Sequence, residues 1–197
     1  MTRADAVARV ADALPPDCLT IACNGMIGRE LYACADSPVR FYMIGAMGLA
    51  SSIGLGLALV RPARTVVVFD GDGNVLMNMG ALASVAAAGT PNLFHVVFDN
   101  AAHGSTGDQR TVSDLVPLEQ VASAAGYRLA CRVRDEASLN DALATFFTGP
   151  GPAMLLIEVA KGNKPGIGRV DLTPPELTAR FRSAVRHYGA CGMRNDE

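Results

Sequence analysis

The chain has 197 residues, half of them hydrophobic, and a formal net charge of −2. That is enough to bury one sizeable core, and the near-neutral balance gives no field to draw nucleic acid or an anionic membrane. Basic residues are 15 Arg against 2 Lys with no basic run, and five cysteines lack CxxC spacing, which excludes a disulfide framework or zinc site and points to reduced thiols in a cytoplasmic protein.

The opening segment, MTRADAVARVADAL, is amphipathic and too polar for a signal peptide, and it predicts a helix over Thr2–Leu14. Strand Cys18–Cys23 follows, then a helix beginning near Met26 and a strand over Phe41–Ile44. Met43 to Val60 carries no charge over 18 residues, the lower limit for a membrane span. Gly45, Gly48, Gly54 and Gly56 interrupt it, and the strand uses part of its length. The segment therefore reads as a glycine turn and a fully buried helix from about Leu49, whose small residues allow close backbone approach. Thr65–Phe69 is a β-branched run and reads as a buried strand, followed by helix Val75–Ala88. Strand Leu93–Phe98 leads to a glycine-rich loop and helix Leu118–Ala125. Strand Arg128–Arg132, helix Glu136–Thr148, strand Ala153–Val159 and a last helix, Pro175–His187, complete the series. Alternation of this kind predicts an α/β fold, one domain over residues 1–188 with a largely parallel sheet and helices on both faces. Gly189 to Glu197 reads as a weakly ordered tail.

Two strand ends carry the chemistry. The run ending at Phe69 continues as Asp70-Gly71-Asp72-Gly73-Asn74, and the run ending at Phe98 continues as Asp99-Asn100. Parallel strands joined by a helix bring both ends to one sheet edge, where open α/β folds bind ligands. Asp72, expected on an exposed loop, offers a carboxylate oxygen and Asn100 an amide oxygen to one hard cation. A site with spare positions suits Mg²⁺ that also holds phosphates. A dinucleotide fingerprint is excluded, since Leu76 stands where its third glycine belongs. Gly73 and Asn74 open the next helix, so their backbone N–H groups can meet a phosphate. His103, Ser105, Thr106, Gln109 and Arg110 lie soon after Asn100 and are placed to touch substrate: His103 to relay a proton, Arg110 to pair with an anionic group. His95, inside a strand, reads as structural.

GDG followed after 26 residues by Asn resembles the thiamin diphosphate (ThDP) motif. The segments Asn24–Leu31, Phe41–Leu59, Phe69–Leu93, Asp99–Thr111 and Glu158–Phe181 resemble the ThDP subunits of sulfopyruvate and phosphonopyruvate decarboxylases. The resemblance implies a single diphosphate-binding (PP-type) domain. It implies Mg²⁺ on Asp72, Asn100 and the carbonyl of Ala102. Asn24, Gly25, Gly71, Gly73 and Asn74 would hold the cofactor, Met47 would wedge it into a bent form, and Gly45 would offer its carbonyl to the aminopyrimidine. Asp99 departs from the usual Asn-Asn ending, but the ligand position is kept.

The same family needs a glutamate beside the aminopyrimidine, supplied by a separate pyrimidine-binding domain. This chain has six Glu and no second α/β unit to carry that residue. The expectation is therefore one subunit of a split enzyme, at least a dimer in isolation, completed by a pyrimidine-binding (alpha) subunit. The implied reaction is nonoxidative decarboxylation of a small anionic 2-oxoacid. Phe41–Leu59 and Gly104-Ser105-Thr106-Gly107 lean to sulfopyruvate, Ala102-His103 to phosphonopyruvate. The alternatives are another ThDP-dependent 2-oxoacid reaction, carboligation or oxidation, and a non-catalytic ThDP-binding partner.

Overall fold

A computed structural model describes residues 1–187, so the tail expected at Gly189 to Glu197 lies outside the described residues. In chain order the elements are α1 (Arg3–Asp12), β1 (Leu19–Ala22), α2 (Met26–Ala35), β2 (Arg40–Tyr42), α3 (Ala50–Val60), β3 (Val66–Gly71), α4 (Asp72–Met77) and α5 (Gly80–Ala88). Then come β4 (Leu93–Asp99), the short strands β5 (Ala102–His103) and β6 (Gln109–Arg110), α6 (Leu118–Ala125), β7 (Leu129–Val133), α7 (Glu136–Phe146), β8 (Ala153–Glu158) and α8 (Pro174–His187). Six strands form one sheet in the order β2-β1-β3-β4-β8-β7, and every neighbouring pair is parallel. This is the expected α/β sheet. β3 and β4 are buried at every position, as strands covered on both faces must be.

The two faces are separated by the pleat of β3. Val68 meets α3, where a Cβ on Gly54 would come within 2.3 Å of its Cγ2. A Cβ on Gly71, three residues on and therefore on the other face, would meet Ile27 of α2 at 3.2 Å. Gly54 thus lets α3 lie against the sheet at a distance no larger residue permits. Among the described residues, no helix is long and apolar enough to cross a membrane.

Three details differ from the expectations. The helix expected from Val75 to Ala88 is two helices, broken at Asn78 and Met79. Asn78 leaves helical geometry (φ −146°, ψ 55°) and its side-chain amide donates to the Gly48 carbonyl at 3.1 Å. That tertiary bond wins over local helix propensity. The strand expected at Phe41–Ile44 ends at Tyr42, and Ile44 is 64% exposed in the turn beyond it. α3 is not fully buried: its small-residue stripe, Ala50, Ser51, Gly54 and Ala58, is buried, Leu55 and Leu57 pack against the core while partly exposed, and Ile53, Leu59 and Val60 are exposed. Composition alone could not separate burial within this chain from apolar surface left open.

The cysteines of the described residues, Cys18, Cys23, Cys34 and Cys131, are all free. Burial pushes each of these thiols above its usual range. His95 is structural, as expected. Its Nε2 is 3.2 Å from Asp70 Oδ2, and Asp70 Oδ1 accepts from the Gly71 amide at 3.0 Å.

Candidate active site

The chain runs from β1 outward to β2 and returns past β1 to β3, so strand order reverses between β1 and β3. Ligands bind at the carboxyl ends of strands beside such a reversal. A cavity of about 200 Å³ lies there. The segment after β1 gives it Asn24 and Gly25, the segment after β3 gives Gly71, Asp72, Gly73 and Asn74, and the segment after β4 gives Asn100, Ala102, His103, Ser105 and Thr106. Met47 lines it from the turn before α3. Three loops, each following a parallel strand, thus converge on one cavity.

Asp72 is 2% exposed and begins α4, so it is not the exposed loop residue expected from sequence. Burial pushes its carboxyl above the usual range. The Thr111 hydroxyl, donating to Oδ2 at 2.5 Å, works against that rise, and the nearby Asp99 adds to it. A buried hydroxyl relay joins the two acids: Thr111 Oγ1 is 3.1 Å from Ser113 Oγ, which donates to Asp99 Oδ1 at 2.7 Å. Two carboxylates held so close, with no basic side chain among the described residues bonded to either, favour a cation beside them. Asn100 Oδ1 accepts from the Ala102 amide at 3.3 Å, while its Nδ2 is buried without a partner among the described residues. Asn24 Oδ1 is likewise buried and unpartnered. Orphaned groups on two residues that line one cavity fit a polar ligand that would satisfy them. No cluster of three His, Cys, Asp or Glu is placed to hold a metal among the described residues. The available set is one carboxylate, one amide and backbone carbonyls, which suits a hard cation that keeps other oxygen ligands.

The cavity floor is close-fitting. A Cβ on Gly73 would fall 2.7 Å from both Cε1 and Nδ1 of His103 and 3.4 Å from Met47 Cε. A side chain at this position would push the imidazole aside. Asn74 Oδ1 accepts from the Gly48 amide at 2.8 Å, locking the Met47 turn onto α4. Ser105 stands opposite Gly25, and the Thr106 hydroxyl is spent inside its own loop on Gln109 Oε1 at 2.9 Å. Gly45 is exposed and does not line the cavity. Gln109 and Arg110 are exposed on β6, also outside it, and Arg110 is paired with Asp114 one helical turn away in sequence.

Sequence reasoning missed three residues that the structure brings here. Thr111 and Ser113 hold the acids, and Arg3, from the first turn of α1, lines the cavity. A hydroxyl pair spaced by one residue after a glycine loop was the available signal for the first two. Nothing local marked Arg3.

The family model described as "Thiamine pyrophosphate enzyme, C-terminal TPP binding domain" matches residues 20–157. The chain belongs to the thiamine pyrophosphate enzymes, by that domain. Phosphonopyruvate decarboxylase of Streptomyces viridochromogenes is 47% identical over 186 residues, 93% of this chain and 46% of that protein. Sulfopyruvate decarboxylase subunit beta of Methanothermobacter thermautotrophicus is 41% identical over 187 residues, 94% of this chain and 96% of that protein. Within the thiamine pyrophosphate enzymes, the chain is a member of the family of these two decarboxylases. It spans about half the length of the phosphonopyruvate decarboxylases and nearly all of the beta subunit. In fold, it is similar to benzoylformate decarboxylase from Polynucleobacter necessarius, with a TM-score of 0.70 at 18% identity over 82% of this chain and 34% of that one.

Proposed function

We propose that this chain is the diphosphate-binding half of a ThDP- and Mg²⁺-dependent decarboxylase acting on a 3-substituted pyruvate, sulfopyruvate or phosphonopyruvate. The observation that carries the reading is the convergence of Asp72 and Asn100 on one cavity, in a chain of this family, with Asn24 Oδ1 and Asn100 Nδ2 left unpartnered there. Asp72, Asn100 and the Ala102 carbonyl would hold Mg²⁺. Asn24, Gly25, Gly71, Gly73 and Asn74 would cradle the diphosphate. Met47, fixed by the Gly48–Asn74 bond, would support the rings, and Gly45, two residues earlier in the same turn, would offer its carbonyl to the aminopyrimidine.

When bound, the cofactor supplies a thiazolium ring that takes up the electron pair released as CO₂ leaves. The protein's part is to orient the 2-oxoacid, exclude water and move protons. His103 is the imidazole in the wall and moves a proton at the reacting carbon. Ser105, whose hydroxyl faces Gly25, orients the substrate, and Thr106 keeps the loop folded. Substrate roles for Gln109 and Arg110 find no support in their positions.

A second polypeptide, a pyrimidine-binding subunit, would supply the remaining wall and the essential glutamate. Two facts support this: the beta-subunit relative spanned almost end to end, and a cavity smaller than the roughly 300–1,000 Å³ of sites that enclose a whole ligand. The test is to isolate the chain with any co-purifying subunit, add ThDP and Mg²⁺, and measure CO₂ release from sulfopyruvate and phosphonopyruvate. Release from one of them, dependent on both subunits, is expected. A pair that binds ThDP yet leaves both substrates intact would favour another 2-oxoacid reaction. Robust release by this chain alone would remove the split-enzyme part.

A further inference from the structure

Arg3 is 6% exposed although it opens a surface helix. A cation at a helix N-terminus gains nothing from the helix dipole, so α1 itself does not account for it. Its guanidinium is held on one side. Nε and Nη2 donate to the two carboxylate oxygens of Glu30 in α2, at 2.9 and 3.0 Å, and Nη2 also donates to Asn163 Oδ1 at 2.8 Å. Asn163 Nδ2 donates in turn to the Gly104 carbonyl at 3.2 Å, which fixes the loop that follows Asn100. The Arg3–Glu30 pair is sealed, with side-chain exposures of 6% and 1%. All these bonds use Nε and Nη2. Nη1 is 3.5 Å from the point a Cβ on Gly104, a residue lining the cavity, would occupy, and the Asp108 carboxylate Oδ1 is 3.4 Å from the same point. The unpartnered Asn100 Nδ2 is 3.6 Å from the same point.

We infer that Arg3 is an anion-binding residue of this cavity, donating through Nη1 to a phosphate of the bound diphosphate, with Asn100 Nδ2 as a neighbouring donor. This rests on the ThDP reading of the site. A guanidinium whose plane is already fixed loses little freedom on binding an oxyanion, and its bonds to phosphate are charge-assisted. Glu30 balances the buried charge when no anion is present, so the arginine can wait in a dry wall without an uncompensated cation. A clamp between α1 and α2 would need only Nε and Nη2. The placement of Nη1 beside Gly104 is what that role leaves over. The sulfonate or phosphonate of a substrate has the same tetrahedral oxyanion chemistry, and the measurement must separate the two.

Arg3→Gln alone would leave Glu30 buried and unpaired, a threat to folding. The working variant is therefore Arg3→Gln with Glu30→Gln, whose amides can bond each other. Glu30→Gln alone is the control that keeps the guanidinium. Calorimetric titration of the full chain, with its co-purifying subunit, uses ThDP and inorganic pyrophosphate, each with Mg²⁺. The double variant, with parent-like circular dichroism and melting, is expected to bind both about ten- to a hundredfold more weakly. Glu30→Gln alone should bind at least as tightly as the parent. Should the double variant not fold, Arg3→Lys, which keeps a charge for Glu30 but lacks the fork, should show the same loss. Parent-like binding by the folded variant, or an equal loss in Glu30→Gln alone, would reduce Arg3 to a clamp and overturn the inference. Unchanged ThDP and pyrophosphate binding with a raised KM for the 2-oxoacid would transfer the anion to the substrate and overturn the diphosphate assignment. A parent that binds neither ligand would instead bring down the ThDP reading, and this inference with it.

Discussion

Asp72 is bonded to a side-chain hydroxyl before any cation is considered, and that decides how it can be tested. Its carboxylate is enclosed and accepts from Thr111, so replacement by alanine would also open a void and strand the hydroxyl. Asp72→Asn keeps the shape and removes the charge. Mg²⁺-dependent ThDP binding should be abolished in a calorimetric titration, while the metal-free variant melts no lower than the parent at neutral pH, because an ionised carboxylate in that buried position is costly. Binding as tight as the parent's would remove Asp72 from the metal site. Arg110 makes the opposite case. Sequence order alone put it near Asn100, but the two-residue ladder β5–β6 turns it outward, where it is 63% exposed on Asp114. Arg110→Ala should therefore leave the KM for the anionic substrate within about threefold, the scale of an exposed ion pair. A loss of one or two decades, specific to the sulfonate or phosphonate substrate, would return it to the substrate wall.

Among the elements, those legible in the sequence were the ones whose stability is local or periodic. β3 and β4 announced themselves as β-branched and apolar runs, and α6 was bounded correctly because Gly126 ends it in the left-handed region. Hidden features depended on partners far along the chain. Asn78 breaks a helix for the sake of Gly48, and Arg3 turns inward for Glu30 and Asn163. The same limit explains the site. Asp72 and Asn100 were legible because each follows a strand, whereas Thr111 and Ser113 matter only once folding places them against two acids. α8 supplies a test at this scale. Arg180 grips Asp36 with two bonds of 2.8 and 2.9 Å, and Tyr42 donates to the same acid at 2.9 Å. Burial pushes the Asp36 carboxyl up, but the Arg180 and Tyr42 bonds outweigh it and the net shift is downward. A carboxyl lowered on folding stabilises the native state above its unfolded pKa, and that contribution fades as pH falls through the folded value. Asp36→Asn should thus cost about 0.5–1 kcal/mol at pH 7, discounted for partial solvent exposure. The gap from the parent should close below the usual carboxylate value of 3.8. Denaturant melts at pH 7 and at acid pH would show it, and a gap that does not narrow would mean the contact is not electrostatic.

For the whole molecule, the telling surface is apolar and lies beside the cavity. Ile44, Leu49, Ile53, Met77 and Met79 are all exposed. Leu49, Ile53 and Met77 lie close together. Ile53 follows Leu49 by one helical turn, and a Cβ on Gly48 would lie 3.2 Å from Met77 Cβ. The patch therefore joins the Met47 turn, the start of α3 and the end of α4, at the rim of the proposed cofactor site. Solvent is a poor neighbour for so many large apolar groups in one place. The small-residue stripe of α3 packs inward while Ile53, Leu59 and Val60 face out, which is the arrangement of a helix that has a second partner to meet. Under the proposed split enzyme, that partner is the pyrimidine-binding subunit or, in its absence, a second copy of this chain. Leu49→Glu tests the idea without touching a proposed ligand. A charge there would be trapped in the interface, weakening assembly by about 2 kcal/mol or more, roughly thirtyfold in the dissociation constant. In the lone chain, where Leu49 is already 44% exposed, melting should barely change. Sedimentation of the parent and variant, each alone and with the co-purifying subunit, reads both effects. If Leu49→Glu assembles as tightly as the parent, this face is not the junction, and the missing wall of the cavity must approach from another side.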